Sequence, residues 1–469
     1  MRTKVLFLIP IAIVPLLAQE KQGDPNSQAL MLQILQRLDA LEHQNEKLVE
    51  EVHALKQQLA ASNGQTAVTP GVSQSGVSQA AASEAGAAPE QSSVQDEVSI
   101  NQRRIEEQAQ TKVEASQKFP IRLDGMLLFN AFANTGSSVQ NLGDYGLLTG
   151  PSSSGATVRQ TQIGFQFQGP SLPFDGRVNG SLMMDFGAGY SEPGASWLRL
   201  RQADLSFDWQ NRSFSVGQEQ PIISPYQPTS FAEVVIPPLA GAGNLWYWLP
   251  EAKYEERLHF NGNTGLTGQI AVIETNDSSQ YVPTEYQPSL EGGRPALEGR
   301  FAFWHKFDDV KRIEFAPGFH VGTTHVAGSS VPSRIATFDW RIVPFSKLAF
   351  NGTIYHGRNV AGLGSLGNGF VILPDESVRA VPSSGGWAQM SLSLTSRLSF
   401  NVFTGLEDDQ GADLPAKNTV RNLSYAANLI YHLGPNVVVS LEGLQMRTRW
   451  VNGASQLHNH YDLALAYLF

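Results

Sequence analysis

The segment "HNHYDLALAYLF" (residues 458–469) decides the fold class, because apolar and polar side chains alternate along it without a break. Successive side chains of a β-strand point to opposite faces of a sheet, so this alternation predicts a strand with two unlike faces. One face carries Tyr461, Leu463, Leu465, Tyr467 and Phe469. The other face carries His458, His460, Asp462, Ala464 and Ala466.

The same two-residue period recurs upstream as far as residue 119, for instance where Ile163, Phe165 and Phe167 alternate with polar residues or glycine. We count about sixteen such segments from the alternation and the turn residues between them. Short connections such as 210–212 and 396–397 alternate with long ones such as 219–253 and 359–386. Residues 119–469 therefore predict an all-β fold, a 16-stranded antiparallel transmembrane β-barrel, because an open sheet edge in lipid would leave backbone groups unpaired.

The first residues have the pattern of a secretory signal peptide, which we place at residues 1–18. Arg2 and Lys4 supply the positive charge, and an apolar run follows. A membrane anchor is the alternative, but the run of about 13 residues is shorter than the roughly 20 that a spanning helix needs. Secretion across the inner membrane is therefore predicted.

Residues 26–60 contain a heptad repeat, which predicts an α-helical coiled coil ahead of the barrel. The predicted core consists of Ile34, Leu38, Leu41, Asn45, Leu48, Val52 and Leu55. A lone amphipathic helix on a globular core is the alternative, and the narrow apolar stripe argues against it. Residues 61–118 are rich in Ala, Ser, Gly and Gln, which predicts a flexible linker.

Composition excludes several classes of function. The 469 residues include no Cys, so disulfide scaffolds and thiolate metal sites are excluded, and a net charge of −10 argues against nucleic-acid partners. No nucleophile motif brings Ser, His and Asp together, so we predict no enzyme and no cofactor. His458 and His460 could hold a metal ion, but without a further ligand cluster they favour solvated pore lining, and we predict no metal site.

Four stretches carry a resemblance to a known family. They are "RQTQIGFQF" (159–167), "GRVNGSLMMDF" (176–186), "LRLRQADLSF" (198–207) and "FSVGQEQPIISPY" (214–226). With the heptad ahead of the barrel, they resemble the DcaP-like porins, a family of trimeric sixteen-stranded porins. The resemblance implies a homotrimer in the bacterial outer membrane, with the coiled coil in the periplasm and passive diffusion of small hydrophilic solutes through each barrel.

The resemblance also implies partners. An aromatic residue that ends an alternating strand resembles the signal read by the barrel assembly machinery, here Tyr461, Tyr467 and Phe469. Outer-membrane lipid and lipopolysaccharide would surround the barrel, and the coiled coil could hold it near peptidoglycan. The competing hypothesis is an envelope tether or adhesin, in which the coiled coil is the working part and the barrel only an anchor.

Strand parity predicts which charges face the pore. The predicted pore-lining and constriction residues are Arg122, Asp124, Arg177, Asp185, Glu233, Arg300, Arg312, Arg341 and Asp339. Glu233 lies in residues 219–253, a Pro-rich segment that cannot be a ladder strand and that, by the resemblance, folds into the lumen. An external cap loop is the alternative.

Two further expectations concern Arg. Of the 23 basic residues after residue 118, 18 are Arg, whose bidentate donors suit carboxylates, so anion preference is one hypothesis and pairing across strands is the other. Arg199 and Arg201 share parity with Leu205 and Phe207, which should face lipid. Either a β-bulge near Gln202 returns both Arg side chains to the polar face, or they lie at the outer rim of the barrel, and we favour the bulge.

Overall fold

A computed structural model of the chain describes residues 121–135, 152–188, 196–277 and 282–469. The predicted signal peptide, coiled coil and linker lie outside the described residues, so those expectations stay predictions. Among the described residues, no helix is long and apolar enough to cross a membrane.

The described chain consists almost entirely of antiparallel strands. In the first half these are β1 (Ile121–Asn134), β2 (Ser153–Thr157), β3 (Gln162–Leu172), β4 (Gly176–Ala188), β5 (Trp197–Asp208), β6 (Arg212–Glu219), β7 (Leu249–Asn261), β8 (Thr264–Glu274) and β9 (Pro295–Lys306). In the second half they are β10 (Arg312–Val326), β11 (Ser329–Phe345), β12 (Leu348–Arg358), β13 (Phe370–Ile372), β14 (Val378–Ala380), β15 (Pro382–Ser393), β16 (Leu398–Asp409), β17 (Thr419–His432), β18 (Val437–Trp450) and β19 (Ser455–Leu468). Two short 3-10 helices, Gln287–Ser289 and Ala361–Leu363, lie in connections.

The main sheet closes on itself because β1 pairs with β19. It holds 17 strands, but β2 and β3 both pair with β1, at its two ends, and together form one interrupted barrel strand. The result is the predicted closed 16-stranded antiparallel barrel, and β13 and β14 form a separate hairpin inside a connection. Closure removes the sheet edges, which would otherwise leave backbone groups unpaired.

Connections at one end of the barrel are short throughout, as at 173–175, 262–263 and 346–347. The longest at the other end are 220–248 and 359–381. The alternation is not complete, since 327–328 and 451–454 are short turns at the long-loop end. Ala327 and Gly328 have φ of 50° and 71°, which is the left-handed backbone that a two-residue hairpin requires.

The outer face of the wall is apolar and exposed, whereas the inner face is mostly polar. Leu127, Tyr461 and Leu463 on the outer face are about half exposed, whereas Asn130 and Asp462 on the inner face of the same two strands are buried. This is the inside-out arrangement that a lipid-embedded barrel with a polar interior requires.

The β-bulge expected near Gln202 is confirmed. Met183 pairs with Gln202 and Met184 with Leu200, so Arg201 is the extra residue on β5. The bulge turns Arg199 and Arg201 inward and leaves Leu198, Leu200 and Leu205 exposed on the outer face.

The Pro-rich segment is shorter than we expected. Residues 219–253 were predicted to contain no strand, but Glu219 ends β6 and Leu249 begins β7. Pro250 pairs with Gln218 at the start of β7, where a missing N–H costs least. The irregular part is residues 220–248, which we call the inner loop.

Candidate functional site: the inner loop and the pore wall

The inner loop lies inside the barrel and packs against most of its circumference. Ile223 belongs to an apolar cluster with inner-face residues of β8, β9, β11 and β12. Leu239 packs against β15, β16, β17 and β18, and Phe231 packs against a cluster on β1, β17, β18 and β19. A loop that packs against inner-face residues of strands on opposite sides of the barrel cannot be an external cap loop. The structure therefore places this segment in the lumen.

The inner loop approaches the wall closely at Gly243. Its φ is +100°, and a Cβ there would lie 2.3 Å from the carbonyl oxygen of Gly386 on β15. Only glycine permits this backbone conformation together with this contact. The loop is therefore fitted to the wall at backbone level and not only through side chains.

Gln160, between β2 and β3, makes the densest polar contact with the inner loop. Its amide nitrogen donates to the carbonyl oxygen of Ala232 at 2.6 Å and to Asn130 Oδ1 at 3.0 Å. Its amide oxygen accepts from the backbone N–H groups of Val234 and Val235 at 2.6 and 3.2 Å. One buried side chain thus satisfies three backbone groups of a loop that has no ladder partner.

Two Arg side chains of the bulged strand β5 bind the same part of the inner loop, at Val234 and Val235. Arg199 Nη2 and Arg201 Nη1 lie 2.6 and 3.3 Å from Asp185 Oδ2 on β4. The same guanidinium groups donate to the carbonyl oxygens of Val235 and Val234 at 2.6 and 2.7 Å. Asp185 is fully buried, so this carboxylate orients both Arg side chains toward the loop.

A second charged cluster centres on Arg300 of β9. Arg300 binds Asp339 through two nitrogen–oxygen contacts of 2.8 and 2.7 Å, and Glu314 at 2.7 Å. Glu314 also accepts a hydrogen bond of 2.9 Å from the Tyr226 hydroxyl of the inner loop. Burial and the neighbouring Glu314 carboxylate raise the pKa of Tyr226 above its ordinary value, so the phenol stays a hydrogen-bond donor.

A third set of contacts joins the loop to β17 and β18. Ser230 donates to Glu442 at 2.7 Å, Asn428 donates to the carbonyl oxygen of Thr229 at 2.7 Å, and Asn422 donates to that of Gly241 at 2.8 Å. Strand parity places Glu442 on the polar face, and Thr229, Ser230 and Gly241 lie in the predicted lumen segment, but the sequence does not single out Asn422 or Asn428. Their parity on the polar faces was readable, but nothing local indicated that a loop would lie against them.

The predicted pore residues fall into two groups. Asp185, Glu233, Arg300 and Asp339 are buried between the wall and the inner loop or in ion pairs. Arg122, Asp124, Arg177, Arg312 and Arg341 keep exposed surface on the inner face. Arg122, Arg177 and Arg312 lie within two residues of the short-turn ends of β1, β4 and β10, away from the inner loop.

His458 and His460 of β19 were expected to line the pore in contact with water, but the structure buries them. Both imidazoles are buried, and His460 Nδ1 lies 2.6 Å from Asn134 Oδ1 while its ring stacks on Phe132. The expectation was wrong because parity tells which side of the wall a residue faces, not whether water reaches it. In the part of the chain that the structure describes, no three His, Asp or Glu side chains group as metal ligands.

The residues of the predicted assembly signal lie at the seam of the barrel. Tyr461 and Tyr467 are exposed on the outer face of β19, and Phe469 exchanges two backbone hydrogen bonds with Gly125 of β1, of 3.0 and 3.1 Å. The last residues of the chain therefore close the ring.

Two solved structures resemble this fold. The outer membrane channel DcaP of Acinetobacter baumannii is 16% identical, with a TM-score of 0.63 over 75% of this chain and 98% of that chain. An anion-selective porin from Comamonas acidovorans is 11% identical, with a TM-score of 0.52 over 75% of this chain and 100% of that chain. The chain matches no family profile and no curated protein. The likeness shows that the chain has the fold of the outer-membrane porins.

Proposed function

We propose that this chain forms a water-filled channel in the bacterial outer membrane, through which small hydrophilic solutes diffuse passively. The observation that carries the proposal is a closed 16-stranded barrel with an apolar outer face, a polar inner face and a long loop held in the lumen. A barrel of about 16 strands is wide enough to enclose an aqueous channel, whereas about 8 strands leave room only for side chains. The inner loop would then narrow this channel and set its size limit.

The basic residues of the inner face support a preference for anions such as carboxylates. Most inner acids near the loop are neutralised or buried, as in the Asp185 and Asp339 ion pairs. Among the described residues, several inner-face bases form no ion pair, namely Arg122, Arg177, Lys306, Arg312 and Arg341. The porin from Comamonas acidovorans is described as anion-selective, and we extend that property to this chain as part of the proposal.

Planar-bilayer recording tests both parts. The folded protein should insert in discrete conductance steps, and a KCl gradient should give a reversal potential of the sign that favours chloride. Arg312→Gln with Arg341→Gln should lower the anion preference, whereas Arg447→Gln, on the outer face of β18, should leave it unchanged. A folded barrel without conductance steps would refute the channel, and a reversal potential favouring potassium would refute the anion preference alone.

We also propose that the chain forms a homotrimer, contacts lipopolysaccharide and peptidoglycan, and is folded by the barrel assembly machinery. The coiled coil at residues 26–60 would stabilise the trimer from the periplasm. Deleting residues 31–59 should lower the temperature at which the trimer dissociates on a gel. An unchanged dissociation temperature would remove the trimerisation role. If solute flux into liposomes were absent while the barrel was intact, the tether hypothesis would be favoured instead.

A further inference from the structure

Three Arg side chains lie on the outer face of the barrel, at the long-loop end of β17 and β18. Arg447 and Arg449 are exposed, and the side chain of Arg421 is 38% exposed. Their neighbours in sequence, Asn422 and Thr448, are buried on the inner face. An outward Arg of a membrane barrel is costly in the apolar band, so these three side chains need polar surroundings outside the wall.

The strand register brings the three guanidinium groups together. Arg421 of β17 is directly opposite Arg449 of β18, so their Cβ atoms are about 4.5–5.5 Å apart. Arg447 is on the same face of β18 as Arg449, two residues or about 7 Å along the strand. Like charges directly opposite each other destabilise a sheet, and an anion bound between them would remove this repulsion. We call these three residues the Arg triad.

The protein itself supplies only one acid to this surface. Asp408 is opposite Arg421 in the β16–β17 register, and its Oδ2 lies 3.8 Å from Arg421 Nη1. In the adjoining connection, Asp413 lies 3.3 Å from Arg379 instead. The structure describes all of β16–β19, and the other acids of these strands are buried on the inner face, namely Glu407, Asp409, Glu442 and Asp462. The triad and Asp408 together therefore leave two positive charges unmatched.

The position of the triad along the strands corresponds to the head-group level of the membrane. Outward residues of β17–β19 nearer the short turns are apolar or aromatic, and Tyr425 and Tyr461 beyond them are more than half exposed. Aromatic residues border the apolar band of an outer-membrane barrel. Arg447 and Arg449 lie two and four residues beyond Gln445, which is opposite Tyr425. The triad is therefore beyond the aromatic border, at the end where such barrels have their extracellular loops.

Apolar side chains beside the triad favour a lipid over a free anion. Arg447 is opposite Leu423 of β17 and Leu457 of β19, and Leu457 is 45% exposed on the same outer face. A molecule whose phosphate lies at the triad would therefore also have apolar surface to cover. Only a lipid offers a phosphate next to hydrocarbon at this height of the wall.

The charges and donors of the triad suit a phosphate group. Arg binds phosphate through two parallel N–H bonds, and a phosphomonoester carries about −1.5 to −2 at pH 7, which matches the unmatched positive charge. We propose that Arg421, Arg447 and Arg449 bind a phosphate group of lipopolysaccharide, the phosphorylated lipid of the outer leaflet. The site rests on the proposed outer-membrane location and gives the proposed contact with lipopolysaccharide a defined place. It is independent of solute flux, because the triad lies on the outer face.

The test uses the full chain folded in detergent, with lipid A that carries two phosphates as the probe. Titration followed by native mass spectrometry should show that the parent binds this lipid about tenfold or more tightly than lipid A without phosphates. Arg447→Gln combined with Arg449→Gln should weaken binding of the phosphorylated lipid about tenfold or more. Arg212→Gln is the matched control, because it removes an outward Arg at the short-turn end of β6 and should bind as the parent does.

Asp408→Asn gives a readout in the opposite direction. It removes the one acid beside Arg421 and should strengthen binding of phosphorylated lipid A about two- to fivefold. This variant also covers the case that the double Arg variant fails to fold, because it keeps the whole triad.

Several outcomes would overturn the site. Equal affinity of the parent for lipid A with and without phosphates would refute phosphate recognition, and unchanged binding in the folded double variant would refute the triad. Displacement of the lipid by an equal concentration of inorganic phosphate would show a site for free phosphate instead. A conducting barrel whose lipid binding ignores the triad would refute this site alone. Lipid binding at the triad of a folded barrel without conductance steps would refute the channel alone.

Discussion

Arg300 and Asp339 form a bidentate ion pair across two strands of the inner wall, with nitrogen–oxygen distances of 2.8 and 2.7 Å. β9 and β11, which carry these residues, are separated by β10, and the pair spans that strand. Asp339 is fully buried, so its charge depends on this one guanidinium. The pair therefore links β9 to β11. Arg300 also contacts Glu314, the carboxylate that accepts the hydrogen bond from the Tyr226 hydroxyl.

Replacing Arg300 by Met should destabilise the barrel by about 3–5 kcal/mol, because Asp339 would be left as an unpaired buried charge. Urea unfolding in lipid vesicles measures this change. Arg212→Met is the matched control, since its nitrogen lies 3.9 Å from Glu256 on an exposed surface and should matter by less than about 1 kcal/mol. Equal effects of the two variants would contradict the importance of burial.

Replacing Gln160 by Met should loosen the inner loop without opening the barrel. The variant keeps the volume of the side chain but leaves the backbone groups of Ala232, Val234 and Val235 without partners, at about 1–3 kcal/mol for each buried group. Amide hydrogen exchange of peptides from residues 220–248 should become faster. Gln166→Met, on exposed inner surface of β3, is the control and should leave this exchange unchanged. Unchanged protection in Gln160→Met would show that the apolar clusters alone hold the loop.

Deleting Arg201 should destabilise the barrel about as much as replacing it by Gln. The deletion removes only the extra residue of the bulge, so Leu200 stays opposite Met184 and Arg199 stays opposite Asp185 on the inner face. Both variants lose the contacts of the Arg201 guanidinium with Asp185 and with the carbonyl oxygen of Val234. Unfolding of both variants in lipid vesicles compares the two costs. A deletion that costs about 2–4 kcal/mol more than the replacement would show that Arg199 had turned to the lipid-facing side, against this register.

Replacing Gly125 by Ala should prevent closure of the barrel. Its φ is +155°, and a Cβ there would lie 2.4 Å from the carbonyl oxygen of Gln162 and 3.0 Å from the Phe469 ring. The yield of the folded form, read from its faster migration on an unheated gel, should fall sharply. Gly443→Ala is the control, because the nearest atom to its Cβ would be at 3.7 Å. A normal yield for Gly125→Ala would show that the seam adapts.

Much of the wall could be predicted because alternation is local. The face of Asp462 or Leu463 follows from the two-residue period of its own strand, whichever strands lie beside it. The bulge at Arg201 was predictable for the same reason, since two Arg side chains on an apolar face conflict with lipid. The lengths of the connections separated the two ends of the barrel, although 327–328 and 451–454 showed that short turns also occur at the long-loop end.

Contacts inside the lumen were not predictable from local pattern. Asn428 donates to a carbonyl oxygen 199 residues away in the chain, and Gln160 holds a segment 72 residues away. The burial of His460, Asp185 and Asp339 likewise depends on what lies across from them and not on their own strands.

The sequence by itself therefore determined the strands, their inward and outward faces and the closed barrel, because lipid outside and polar surroundings inside act on each strand separately. Only the tertiary structure decided which charges pair and which polar side chains hold the inner loop. Those contacts exist only after closure brings distant strands around one shared interior, so no single stretch of sequence contains them.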